Sequence, residues 1–351
     1  MTEPHLFAGA LLERGASGYA GMAASLMLER YPQASTENTS HEVWKQHITQ
    51  RVLELSAALN VGEPELFTNR ATWFRKALKA RNVDESFVNA SLLCLRDTLE
   101  ERLPEAGRNA PVQYINLALS ALDNEVGSLE DSELNPESET DKLALQYLQG
   151  VLEGNSAKAI NELLEELKSG RDAPTLYTDV LMPAQREIGR LWHVGDATVA
   201  EEHLVTAATQ KAMAVISQVA PSKPECGRTV IAASVANNAH DIGIRAIADM
   251  FQLEGWRVIY LGSDVPVEDL PVMIGYFDAE LLVLSATLDT QITNVKTAVE
   301  AVRSRTENPV RILVGGYAFD QAPELASTVG ADAYTATAQD AIAKGIELAT
   351  H

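Results

Sequence analysis

Cysteine is almost absent from this chain: Cys94 and Cys226 are the only two in 351 residues, far apart and outside any Cys-x-x-Cys spacing. That excludes a zinc or dithiol redox site built on paired cysteines, and the two read as reduced thiols. Basic residues are scarce as well. Twenty-eight Lys and Arg stand against 49 Asp and Glu, a formal charge of −21, and no basic stripe relieves it. Such a surface repels a phosphate backbone, so direct nucleic-acid binding is not expected. No segment reaches the ~18 uninterrupted apolar residues of a membrane span, and MTEPHLFAGALLERGAS has acids where a signal peptide has basic residues. A cytoplasmic protein without membrane contact is expected. What is present is ordinary for a folding chain: 46% apolar and 22% charged residues, at a length that predicts two or three compact units.

Between Asp123 and Asp141 lie eight acidic residues and no basic one, with Pro, Gly and Ser interspersed. That composition predicts a linker over 123–141. Ahead of it, residues 1–122 show apolar residues at three- and four-residue intervals in SGYAGMAASLMLERY, HEVWKQHITQRVLELSAAL, ELFTNRATWFRKALKAR and VNASLLCLRDTLEERL. These predict an all-helical unit with Trp44, Val52, Leu55, Trp73, Phe74 and Leu95 in its core. Residues 142–223 repeat the helical pattern four times with short connections, which predicts an antiparallel four-helix bundle. HVGDAT breaks the pattern, placing Gly195 and Asp196 between the last two helices.

After Pro224 the periodicity changes. Short β-branched runs, RTVIAAS, WRVIYLG, ELLVLSA, VRILVGG and ADAYT, alternate with helical segments over 224–351. Five βα repeats predict a flavodoxin-like (Rossmann-like) five-stranded parallel sheet, with ligands bound beyond the carboxyl ends of its strands. The first loop of that kind carries His240, then Asp241 and Gly243. Histidine ligates metals through a neutral imidazole nitrogen once an acceptor fixes its other nitrogen, and glycine lets a ligand approach without a Cβ in the way.

Three spaced motifs, NAHDIG (Asn238–Gly243), SATL (Ser285–Leu288) and GG (Gly315, Gly316), resemble those of the cobalamin-binding domain family. The resemblance implies that His240 replaces the cofactor's own base below the cobalt. The displaced nucleotide tail would then enter a groove beside Ser285, Leu288, Gly315 and Gly316. One position departs from the family: Asn238 stands where a carboxylate usually holds the imidazole, leaving Asp241 or a backbone group as alternative partners.

In the bundle, Trp192, nine further residues and the pair Glu202, His203 resemble the CarH-like light-sensing cobalamin family, in which this arrangement surrounds the adenosyl group of adenosylcobalamin. A flat ring and two hydrogen-bonding side chains suit a planar, polar upper ligand. The same resemblance makes His193 the upper cobalt ligand after illumination. Residues 1–122 lack that family's basic DNA-binding domain. Their helical, acidic character resembles instead the photocobilin architecture, which pairs cobalamin with a bilin such as biliverdin.

The expectation is therefore a non-enzymatic photoreceptor signalling to a protein partner, with a homo-oligomer left open. The alternatives are a corrinoid carrier for methyl transfer, which uses the same bundle and sheet domain, and a sensor of cobalamin in the dark.

Overall fold

The computed structural model describes residues 4–35, 40–68, 71, 75, 84, 86–124, 134, 138–152, 154–194, 197–306, 309–320 and 322–350. Backbone contacts divide the chain into two units, residues 1–129 and 130–351. No helix among the described residues is long and apolar enough to cross a membrane.

The first unit is helical, as the periodicity predicts. Its helices are α1 (Pro4–Arg30), α2 (His41–Val61), α3 (Ser86–Arg102) and α4 (Glu105–Asn124). Helix α1 begins well before the predicted segment and buries mainly alanines (Ala8, Ala16, Ala20, Ala23 and Ala24) with Leu12 and Met27. These small side chains let α2 come close enough for the Ser56 hydroxyl to donate to the Gly9 carbonyl at 2.8 Å. Trp44, Val52, Leu55 and Leu95 are buried, as expected; Trp73 and Phe74 lie outside the described residues. Helix α4 has no counterpart in the sequence reading. Pro111 interrupts its hydrogen-bond ladder, yet Ile115, Ala118 and Leu122 bury one face. It also carries the helical unit to Asn124, past the predicted start of the linker.

The second unit begins with the bundle: α5 (Glu139–Leu152), α6 (Ser156–Lys168), α7 (Ala173–Leu176), α8 (Met182–Val194) and α9 (Val199–Val219). A π-helical turn, Tyr177–Leu181, joins α7 to α8 just before Pro183, so the two run on as the third predicted helix. A proline within a helix removes one amide donor, and a π turn is one way the ladder adjusts. Helix α9 is started by a capping box. Thr198 Oγ1 accepts from the Glu201 amide at 3.2 Å, and Glu201 Oε2 accepts from the Thr198 amide at 2.7 Å. Gly195 and Asp196 lie outside the described residues.

The sheet follows, with strands β1 (Thr229–Val235), β2 (Arg257–Val265), β3 (Leu281–Ser285), β4 (Arg311–Gly315) and β5 (Ala333–Thr335). All pairs are parallel and the order is β2-β1-β3-β4-β5. The intervening helices are α10 (Ile242–Leu253), α11 (Asp269–Phe277), α12 (Ile292–Arg305), α13 (Tyr317–Asp320), α14 (Leu325–Thr328) and α15 (Ala338–Thr350). The order reverses at β1, so the loops leaving β1 and β3 diverge and open a crevice between them. Central strand β1 is buried along its whole length, as a strand covered on both faces must be. The bundle shares one apolar core with α10 and the sheet.

Candidate functional site

Asn237 and Asp264 both adopt left-handed backbone (φ 64° and 53°) in the segments after β1 and at the end of β2, and they hold each other there. The Asn237 amide donates to Asp264 Oδ1 at 2.6 Å, and the Asp264 amide donates to the Asn238 carbonyl at 3.0 Å. From the opposite side, Gln291 Nε2 donates to the Asn237 carbonyl at 2.8 Å and Asn294 Nδ2 to the Ala236 carbonyl at 2.7 Å. Ser234 Oγ donates to the His240 carbonyl at 2.9 Å. The loop that carries His240 is thus braced from β1, β2 and α12, while the histidine side chain stays exposed.

Asn238 is wholly buried beneath it. Its Nδ2 donates to the Ser285 carbonyl at 3.1 Å, which joins the β1 and β3 loops across the crevice. Its Oδ1 accepts from the His240 amide at 3.1 Å and stands 3.3 Å from His240 Nδ1. These two backbone bonds fix which end of the amide is oxygen. A carboxamide oxygen only accepts, so Nδ1 carries the ring proton and Nε2 keeps its lone pair for a metal. Asn238 therefore fills the place of the expected carboxylate, and Asp241 does not. Both Asp241 oxygens are engaged elsewhere, accepting from Gln210 Nε2 of the bundle at 3.1 Å and from the Tyr260 hydroxyl at 2.9 Å.

Beside this loop lies a cavity of about 330 Å³ between α10, the ends of β3, β4 and β5, and the bundle. Gly243, Ser285, Gly315 and Gly316 line it; Leu288 does not. The Leu288 amide instead donates to Gln291 Oε1 at 3.0 Å, helping to hold the side chain that braces the His240 loop. The glycines differ in their reasons. A Cβ on Gly243 would meet nothing within 4 Å, so its lack of a side chain leaves room in the cavity. Gly316 has φ +98°, and a Cβ there would lie 2.3 Å from the Ala286 carbonyl oxygen, so glycine is required by the backbone itself.

The bundle residues fall into two groups. Trp192 is half-buried and His193 buried on the last turns of α8. Glu202 and His203 stand in the first turn of α9, with His203 Nδ1 at 2.6 Å from Glu202 Oε2. Glu202 Oε1 and Gln185 Oε1 lie 2.9 and 3.2 Å from Thr206 Oγ1, whose single proton serves one at a time. Gln185 Nε2 then donates to Thr209 Oγ1 at 2.8 Å, and Thr209 shares a 3.0 Å hydrogen bond with the Tyr147 hydroxyl. This chain runs from the exposed pair into the bundle core, where burial pushes the Tyr147 phenol up to about 12. Burial likewise pushes Asp249, in α10, up to about 6, although Arg245 and the Tyr177 hydroxyl pull the other way.

Gln210, Gln291, Asn294 and Asp264 are functional contributors that the sequence reading missed. Gln291 and Asn294 act across 54 and 58 residues, so no local pattern announces them.

Two family models, each described as a B12 binding domain, match residues 143–217 and 228–344. The C-terminal unit is a cobalamin-binding module. The first matched segment coincides with the bundle and the second with the sheet domain, so the two halves of the module meet at the cavity. The chain is similar to dimethylamine corrinoid protein 1 of Methanosarcina acetivorans, 25% identical over 208 residues that cover 58% of this chain and 96% of the relative. It is also 26% identical to a corrinoid protein of Desulfitobacterium hafniense, over 53% of this chain and 85% of that one. Among solved structures, the monomethylamine corrinoid protein of Methanosarcina barkeri has the same fold, with a TM-score of 0.53 and 21% identity over 60% of this chain and 99% of that chain. Relatives of this kind favour the carrier expectation over the light-sensing one.

The module's residues suit a corrinoid with its tail extended. His240 offers an exposed imidazole with a set tautomer, and Gly243 leaves open the space that a side chain would fill.

Proposed function

We propose that this chain is a corrinoid carrier, holding cobalamin with His240 below the cobalt and presenting the upper face to a partner protein. The cobalamin site rests on the exposed His240 side chain, held by the buried Asn238 at the switch point of the sheet and beside the cavity, and the carrier reading rests on the similarity to corrinoid proteins along this whole module. The similarity to methylamine corrinoid proteins supports methyl as the group carried. Bound there, the corrinoid supplies a cobalt able to accept and release an alkyl group. The chain's own residues do the rest: His240 ligates, Asn238 and Ser285 orient it, and the groove seats the tail. No residue of the chain is assigned a catalytic role. Both matched segments lie within residues 143–344, and the helical unit before them is proposed as the docking or sensory part.

A second reading is a light sensor that holds adenosylcobalamin. It is favoured by Trp192 and the Glu202–His203 pair, whose hydrogen-bond chain into the bundle core suits a fixed polar upper ligand. A bilin such as biliverdin, seated in the N-terminal unit, belongs to this reading. So does upper ligation by His193 after light, which requires the last turn of α8 to expose a side chain that is now buried.

Titration in the dark with methylcobalamin and adenosylcobalamin separates the two. A carrier binds both within a fewfold, and Trp192→Ala leaves the ratio unchanged. A sensor prefers the adenosyl form by tenfold or more, loses that preference in Trp192→Ala, and gives a bis-imidazole spectrum after illumination that disappears in His193→Ala.

A further inference from the structure

Two consecutive residues of the π-helical turn tie the bundle to the sheet domain through different helices. The Tyr177 side chain is wholly buried, and its hydroxyl stands 3.2 Å from both Asp249 Oδ2 of α10 and the Met213 carbonyl of α9. Thr178 lines the cavity, and its Oγ1 accepts from Gln339 Nε2 of α15 at 2.9 Å. The turn departs from the regular ladder at this point, because the Met182 amide donates to the Tyr177 carbonyl five residues back. From Asp249 the contacts continue along one face of α10. Arg245 lies 3.9 Å from Asp249 and places its guanidinium over the Tyr260 ring, 5.7 Å from the ring centre. The Tyr260 hydroxyl donates to Asp241 Oδ2 at 2.9 Å, and Asp241 Oδ1 accepts from Gln210 Nε2 of α9 at 3.1 Å. This row of side chains therefore starts at the π turn and returns to the bundle on α9.

These ties share one level of the bundle. Tyr177 meets the Met213 carbonyl, Gln210 is one turn away on the same helix, and the chain between them runs out from that level along α8 and back along α9. Trp192 is 15 residues from Tyr177, about 22 Å along a helix, and Ala200 is 13 residues from Met213, about 20 Å. A pair of helices fastened at one end is a lever, so a tilt of about 10° at the base moves the far end by about 3–4 Å. We propose that the π turn is the pivot on which the α8–α9 end of the bundle tilts over the sheet domain, and that the tie between Tyr177 and Asp249 restrains the tilt. The proposal rests on the corrinoid reading for its use: the upper face of the cobalt is covered while a group is carried and uncovered when a partner protein takes it. Because the ties fix the base, Trp192, Glu202 and His203 move together while Lys211, beside Gln210, stays in place.

The test measures distances between two nitroxide labels on the full chain by pulsed electron resonance. The exposed Cys226 takes one label in the sheet domain, and Cys94 is buried. The second label goes on Ala200→Cys or Lys211→Cys, both exposed positions of α9, the first at the moving end and the second at the base. Each pair is read without cofactor and with hydroxocobalamin, whose trivalent cobalt is diamagnetic, and binding is followed by absorption. In the cofactor-free protein, Tyr177→Phe should broaden the Ala200 distance by about 3–4 Å and the Lys211 distance by less than about 1 Å. Hydroxocobalamin should shift the Ala200 distance of the native chain by a similar amount and leave the Lys211 distance in place. Equal broadening at both positions would mean that the bundle loosens as a whole, and no broadening at either that the tie restrains nothing; each overturns the pivot. Binding of hydroxocobalamin without a shift at Ala200 overturns it as well. Gln339→Ala removes the second tie from an exposed position and gives the same reading if Tyr177→Phe does not fold. A native protein that takes up no hydroxocobalamin ends the corrinoid reading, while the Tyr177→Phe distances still decide the pivot.

Discussion

His240 Nδ1 lies 3.3 Å from Oδ1 of Asn238, and the same amide donates through Nδ2 to the Ser285 carbonyl at 3.1 Å. One buried side chain thus sets the histidine's tautomer and ties the two loops between which a ligand must enter. Asn238→Ala removes these bonds and leaves the Ser285 carbonyl and the His240 amide, both in part-buried positions, without that partner. The expected cost is about 1–3 kcal/mol of stability, about 0.5–1.5 kcal/mol for each of the two backbone bonds. Chemical denaturation of the cofactor-free protein measures it. The bound cobalamin spectrum should shift toward the base-off form at the same time, since the imidazole is no longer held in place.

The motif glycines should respond in opposite ways. Gly243→Val adds atoms where a Cβ meets nothing within 4 Å, and Val is a better helix residue than Gly, so cofactor-free stability should stay within about 1 kcal/mol of the native value while cobalamin affinity falls at least tenfold. Gly316→Ala forces a Cβ to 2.3 Å from the Ala286 carbonyl oxygen at φ +98°, and should cost about 1–3 kcal/mol before any ligand is added. Thermal unfolding with and without cobalamin separates the two.

Asp249 gives the module a pH dependence. Its carboxyl is pushed up to about 6 by burial, against the pull of Arg245 at 3.9 Å and the Tyr177 hydroxyl at 3.2 Å. A raised aspartate favours the protonated folded state, so its contribution to stability is complete below the ordinary value of 3.8 and is lost as pH rises through about 6. The loss amounts to about 3 kcal/mol at most. Asp249→Asn should flatten the stability profile between these limits and raise stability at pH 7 by up to that amount, less what Arg245 gives up. Denaturation midpoints taken across that pH range show it; an unchanged profile would mean that the carboxylate is solvated.

The sheet domain was legible in the sequence because each buried parallel strand is a short β-branched run bounded by turn residues, and those strand positions hold within a few residues. The extension of β2 to Val265 was not, because it passes through Gly262 and Asp264 at positive φ, where local preference argues for a turn. Helix α4 was missed for a similar reason: Pro111 reads as a break, and only burial of Ile115, Ala118 and Leu122 overrides it. At the site, His240, Gly243, Ser285, Gly315 and Gly316 were reached through the motifs that resemble the cobalamin-binding family; Ser285 and Gly315 end their strands, Gly316 follows one, and His240 and Gly243 lie in the loop and helix after β1. Asp264, Gln291 and Asn294 were not, since what they brace is a backbone far away in the chain. Asn238 was seen as a departure from the family, but its ability to keep the acceptor role depends on the Ser285 carbonyl fixing which way the amide faces.

Ligation by His240 is the central claim, common to the carrier and light-sensing readings. The most direct measurement is the absorption and paramagnetic resonance spectrum of bound cob(II)alamin in the native protein and in His240→Ala. The native protein should show a nitrogen ligand below the cobalt, retained when cobinamide, which has no base of its own, replaces cobalamin. His240→Ala should give base-off spectra with both. A nitrogen ligand that persists in His240→Ala with cobinamide would contradict the account and place the ligand on another residue.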